Sequence, residues 1–225
     1  MNRPLVLLAG CTGELASAFV RLYSEQLHIV GVARRDPRWS KPHSAEFIAA
    51  DLAVDPESVV AEVLRRHGRL DWIVFNAVDY QLRPLPETAW RAFGDQLRLN
   101  VAAPLGLINA ALSGYWQAQP RTENHTLHRG ACLISSISGH KAFRGRSQGA
   151  YAASKAALNM LTVHLGFELA PFGLRVNALA PAAFPRRVPT ERVCEALLEL
   201  RTTPLSGDVH VLTPERLYAL PQHVG

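Results

Sequence analysis

The sequence predicts an α/β protein: a doubly wound parallel sheet of about seven strands, with helices on both faces, formed by residues 1–225 as one domain. Three observations carry this. Short continuous apolar runs recur at residues 5–9, 28–33, 72–75, 132–134, 174–179 and 209–212, as strands buried on both faces would read. Longer segments of helical periodicity separate many of them, the arrangement that parallel strands require of their crossovers. The first run leads straight into Gly10-Cys11-Thr12-Gly13 and then a helical pattern. With 225 residues and 48% hydrophobic composition the chain fits a single core, since cores grow to about 250 residues before dividing.

Taken in order, the elements have local reasons. Residues 5–9 form the first strand, and the helix after the glycine turn runs through Leu22. Glycine lets the backbone approach an anion, and a helix start offers unpaired N–H groups, so the turn Gly10, Thr12, Gly13, Glu14, Leu15 is a candidate phosphate cradle. Gly10, Gly13 and Ala16 follow a G-x-x-G-x-x-A register; Glu14 sets a carboxylate where it would repel a pyrophosphate. The second strand, 28–33, ends in Arg34-Arg35-Asp36. A short third strand, 46–49, ends in Asp51-Leu52, and Asp55-Pro56-Glu57 supplies a cap and a first-turn proline for a helix to Gly68. Strand four, 72–75, runs into Asn76-Ala77-Val78. A long helix over 95–116 contains Asn100 and Pro104, and residues 117–129, polar, carrying Pro120 and longer than most loops, form a surface excursion. Strand five, 132–134, delivers Ser135 and Ser136. The helix opened by Tyr151 carries Leu158, Leu161, Leu165 and Leu169 on one side and Met160, Val163 and Phe167 on another, which implies burial against the sheet and a second surface. Strand six, 174–179, leads to Pro181; a helix over 190–200 and a last strand, 209–212, follow.

Several function classes are excluded by composition. The net charge of +5 and pI of about 9.4 invite a nucleic-acid reading. The charges are dispersed as pairs such as Arg65-Arg66 and Arg186-Arg187, without a recognisable binding module, so a local site for an anionic ligand is the better use of one pair. Cys11, Cys132 and Cys194 are odd in number and far apart, and read as reduced thiols of a cytoplasmic protein. The five-residue apolar run after Met1-Asn2-Arg3-Pro4 is too short for a signal peptide or a membrane span. His125 and His128 have no third ligand nearby, and no metal site is expected.

The chemistry concentrates in residues 131–180. Tyr151 and Lys155 stand four apart on one helix face. A phenol titrates near about 10 unaided, and a fixed ammonium beside it stabilises the phenolate, so its proton is more easily exchanged near neutral pH. A serine hydroxyl from the preceding strand end can hold a carbonyl oxygen where that phenol protonates it.

Ser135-Ser136-Ile137-Ser138-Gly139, Tyr151-Ala152-Ala153-Ser154-Lys155, Arg175-Val176-Asn177 and Pro181 together resemble the short-chain dehydrogenase/reductase family. The likeness extends over residues 5–212 and implies a Rossmann-type fold. In that family the serine lies three residues before the glycine, which selects Ser136; counting back from the tyrosine selects Ser138 instead. The resemblance implies Tyr151 as general acid/base, Lys155 as the group that lowers the phenol's pKa and holds the nicotinamide ribose, and Asn100 as the relay that bends its helix and returns protons through water; an asparagine before a helical proline also reads as a kink former. It places Asp51 and Leu52 at the adenine, and Asn76 and Ala77 beside the ribose, where Phe75 and Val78 depart from the family's N-N-A-G. Arg34, directly after the second strand, suits the 2′-phosphate of NADP(H); Asp36 leaves NAD(H) open. Residues 182–206 form a shortened substrate lid, which suits a small-molecule or carrier-attached carbonyl. The two-sided helix after Tyr151 implies a homodimer or homotetramer, with no nucleic-acid or membrane partner. The reading is an NADP(H)-dependent oxidoreductase interconverting a carbonyl and an alcohol. Its alternatives are a non-catalytic cofactor-sensing protein on the same fold and an epimerase or dehydratase that retains its cofactor.

Overall fold

The computed structural model describes residues 3–39, 45–145 and 147–221; Met1 and Asn2, which precede the first apolar run, lie outside them. Its strands are β1 (Leu5–Ala9), β2 (His28–Ala33), β3 (Ala45–Ala49), β4 (Trp72–Phe75), β5 (Gly130–Ile134), β6 (Arg175–Pro181), β7 (Val209–Leu212) and β8 (Leu217–Ala219). They form one sheet in the order β3-β2-β1-β4-β5-β6-β7-β8. All neighbours are parallel except β8, which returns antiparallel on β7. The expected seven strands are therefore eight. β8 follows a tight turn in which Thr213 N donates to Arg216 O at 2.9 Å, and three residues are too few to leave a periodic signal.

The continuous apolar runs have the predicted cause: β1, β4, β5, β6 and β7 are buried along their whole length. One face is covered by α2 (Pro56–His67), α4 (Ala103–Gly114) and α6 (Gly149–Leu169), through Val59, Val63, Leu107, Ile108, Leu158 and Leu165. The other is covered by α1 (Glu14–Tyr23) and α7 (Thr190–Thr202), through Leu15, Phe19, Val193 and Leu197. The described part of the β2–β3 connection, residues 34–39, holds no helix; Trp39 packs over Gly31 and Cys11 in its place.

Three expectations are corrected. The single helix over 95–116 is α3 (Trp90–Leu97), a π-turn (Arg98–Ala102) and α4. The widened turn places Asn100 where its side chain bonds the backbone of Asp79, which a regular helix would not require. Residues 117–129 are largely exposed, as expected of a surface excursion, but they are not a plain loop: α5 (Arg121–Thr126) forms there, and Asn124 and Arg129 are buried. Asn124 donates to the carbonyls of Trp116 and Phe172, and Arg129 pairs with Asp71 at 3.2 Å, so polar residues serve as interior struts. The expected lid over 182–206 is mostly α7, a core helix joined to α1 by Thr190–Glu14 and Arg21–Glu191 contacts. Among the described residues no helix is long and apolar enough to cross a membrane.

Candidate active site

In a parallel sheet the strand ends and the helix starts that follow them share one edge, and ligands bind there. β5 ends at Ile134, and Ser136 starts a short helical turn (Ile137–Gly139) in which its Oγ accepts from Ser138 N at 3.2 Å. That turn lies directly on α6: a Cβ at Gly139 would stand 2.9 Å from the Lys155 carbonyl, so only glycine permits the approach. The first turns of α6 hold Tyr151, 7% exposed, and Lys155, 2% exposed.

Ser136, Tyr151 and Lys155 are thus brought together. Burial pushes the Tyr151 phenol up to about 12; the Ser136 hydroxyl draws it down and the Tyr80 phenol raises it further. Burial also lowers Lys155 to about 7. Lys155 Nζ donates to Ile134 O at 2.7 Å and stands 5.9 Å from the centroid of the Tyr151 ring. The expected lowering of the phenol by the ammonium is therefore not expressed in this geometry: desolvation dominates both groups, and the ammonium is turned to a backbone carbonyl. Of the two candidate serines, Ser136 has the side chain that acts on the phenol. Ser138 supplies a backbone N–H to it.

Asn100 is fully buried. Its Oδ1 accepts from Asp79 N at 2.8 Å, and its Nδ2 donates to Asp79 O at 3.1 Å and Ser154 Oγ at 3.0 Å. It fastens the loop after β4 to α6 rather than pointing at Lys155 Nζ. That loop also delivers Tyr80, whose ring meets Tyr151 edge to face at 4.8 Å. Sequence reasoning missed Tyr80, because an aromatic in an aperiodic loop carries no pattern; its only signal is position, four residues after Asn76.

The predicted cofactor residues lie along the same edge. Gly10 has a positive φ of 81°, and a Cβ there would stand 2.4 Å from Ala77 N, so the β1 turn and Asn76-Ala77 cross in backbone contact. Asn76 Nδ2 donates to Gly10 O at 3.0 Å, which fixes that crossing. Thr12, Gly13 and Glu14 are exposed and Leu15 is buried. No side chain caps α1 at Gly13, so its first N–H groups are open to an anion. Glu14 does not point freely at that position, since its carboxylate accepts from Thr190 Oγ1 at 2.7 Å. Arg34 is exposed directly after β2. Asp51 accepts from Ala53 N at 3.0 Å, whereas Leu52 is a core residue that has only its backbone to offer. Pro181 ends β6, buried opposite Leu212. An uncapped helix start, an exposed guanidinium and a buried lysine are a donor set that fits an anionic dinucleotide. A cleft of about 640 Å³ adjoins the turn on the outer side of α1, lined by Glu14, Arg21, Trp39, Pro185 and Thr190; none of Ser136, Tyr151 and Lys155 lines it.

A family model of the short chain dehydrogenases matches residues 5–191. The chain belongs to the short-chain dehydrogenase family. It is 31% identical over 192 residues to the hydroxynaphthalene reductase arp2 of Aspergillus fumigatus, covering 80% of this chain and 64% of the relative. It is 27% identical over 186 residues to the L-fucose dehydrogenase of Oryctolagus cuniculus, covering 79% and 61%. The chain thus spans less than two thirds of the length of either. Among solved structures of this family, the fold is similar to a short-chain dehydrogenase from Streptomyces avermitilis, with TM-score 0.77, 25% identity, and 95% and 89% of the two chains covered. An oxidoreductase from Brucella ovis in complex with a partially ordered NAD gives TM-score 0.76 at 25% identity, covering 94% and 100%.

Proposed function

We propose that this short-chain dehydrogenase is an NADP(H)-dependent oxidoreductase that interconverts a ketone or aldehyde and an alcohol. The observation that carries the reading is the meeting of Ser136, Tyr151 and Lys155 at the sheet edge that also bears the Gly10–Gly13 turn. In this reading Gly10, Thr12, Gly13 and Leu15 offer backbone to the pyrophosphate, and Arg34 pairs with the 2′-phosphate. Asp51 and Leu52 border the adenine, Asn76 and Ala77 the ribose, and Pro181 closes the groove. The bound cofactor supplies or accepts the hydride. Ser136 holds the substrate oxygen, and Tyr151 Oη gives or takes its proton. Lys155 acts as the cation at the nicotinamide ribose and, once turned from Ile134, lowers the phenol it now leaves high. Asn100 acts as the positioning residue that returns protons through water.

The relatives are named as a hydroxynaphthalene reductase and an L-fucose dehydrogenase, which supports an alcohol–carbonyl couple on a small molecule. The outer face of α6 carries Met160, 60% exposed, and Phe167, 49% exposed, one heptad apart, which supports a homodimer or homotetramer. A second reading, cofactor binding without turnover, is favoured by one observation, the Lys155 amine turned to Ile134 O, which leaves the Tyr151 phenol high.

The test is NADPH and NADH binding measured by protein fluorescence beside reduced-nicotinamide consumption over a panel of ketones and aldehydes, with molar mass read by light scattering. Tighter binding of NADPH, turnover of panel members and a mass of two or four chains are expected. Binding without any turnover contradicts the enzyme in favour of the second reading.

A further inference from the structure

We propose that His28, Glu46 and His67 form a site for a divalent transition-metal ion of the zinc class, at the end of the sheet opposite Tyr151. The topology places them there: His28 is the first residue of β2, Glu46 the second of the edge strand β3, and His67 the last of α2, which runs back to the strand starts. Glu46 pairs with Val30, so His28 lies two residues upstream on the side-chain face that Val30 shares. α2 ends at Gly68 with φ 67°, and this terminus sets His67 beside His28, their rings 4.8 Å apart and edge to face.

One carboxylate now bridges the two imidazoles. His28 Nε2 lies 2.7 Å from Glu46 Oε1 and His67 Nε2 lies 3.3 Å from Glu46 Oε2, and the three donor atoms fall within 4.8 Å of one another. His67 Nε2 is buried from solvent and makes no geometrically sound hydrogen bond among the described residues. Two imidazole nitrogens and a carboxylate oxygen are the three-protein-ligand set that zinc takes with a fourth position open, at about 2.0–2.2 Å per bond. Tetrahedral ligands at such lengths stand about 3.4 Å apart, so side-chain rotation alone closes the shell. Among the described residues the Arg or Lys that faces the cluster is Arg66, whose Nη1 is 3.9 Å from Glu46 Oε2; its Nε is held by Glu62 at 2.6 Å, which offsets its charge. A metal here pins the edge strand to α2 where the described β2–β3 connection holds no helix. The three residues are 18 and 21 apart in sequence, so no ligand spacing announces them.

The proposal is independent of the catalytic reading. Untagged, metal-stripped protein is titrated with zinc chloride by calorimetry and with cobalt(II) by visible absorption. One zinc per chain, intense tetrahedral cobalt bands and a zinc-dependent rise in the unfolding midpoint are expected. His67→Asn and Glu46→Gln, each checked for a wild-type circular dichroism spectrum, weaken binding at least about tenfold. Equal affinity in wild type and in a folded variant overturns the site, as does a cobalt spectrum of wild type showing only the weak octahedral bands of the aqueous ion.

Discussion

Burial acts on Tyr151 and Lys155 in the same sense, disfavouring the charged form of each, which raises the phenol to about 12 and lowers the amine to about 7. Below about 7 both folded and unfolded chains carry the Lys155 proton, and above its ordinary 10.5 neither does. Between these values the unfolded chain binds one more proton, so the Lys155 contribution to stability grows as pH rises through that window and is lost as pH falls back to about 7. Lys155→Met removes this dependence: denaturant midpoints of wild type should climb relative to the variant from pH 7 upward, and parallel curves would contradict the burial argument. Tyr151 and Lys155 were legible in the sequence because a helix turns a four-residue spacing into a shared face. Tyr80 was not, since it reaches Tyr151 from a loop, and neither was the His28–Glu46–His67 cluster, assembled from three elements.

At the scale of elements, the strands were readable because double burial forces unbroken apolar runs, and α2 because Asp55 caps it, accepting from Ser58 N at 3.0 Å, while Gly68 closes it. α5 was not readable, because its stability comes from buried polar contacts that look like surface composition. Asp71 accepts from Leu5 N at 2.8 Å and from Arg129 Nε at 3.2 Å. Arg129 also reaches Asn124 Oδ1 and Tyr115 Oη, each at 3.0 Å. This network ties the starts of β1, β4 and β5 to α5. Replacing Arg129 with Met takes from Asp71 its buried cation and leaves it only the Leu5 N–H and the longer 4.0 Å contact to Arg69, at a cost of about 3 kcal/mol. Urea unfolding measures it, and a loss within the error of the extrapolation would show the pair to be dispensable. The split of the 95–116 helix was equally hidden, since the bond between Asn100 and Asp79 spans 21 residues.

For the whole molecule, a parallel sheet collects at one edge what the sequence scatters over 170 residues: the Gly10 turn, the Arg34 corner, Ser136, Tyr151 and Pro181. The fold and family were legible because that edge repeats a strand–turn–helix grammar. The burial of α7 was less legible, because its core face, Val193, Cys194, Leu197 and Leu200, packs beside α1 from the far end of the chain. The functional claim rests on Tyr151 as the proton donor at that edge, and a single oxygen atom tests it. Tyr151→Phe should bind NADPH as wild type does while its turnover of a panel substrate falls by about 10²–10⁴-fold. Turnover at the wild-type rate, with binding intact, would contradict the account.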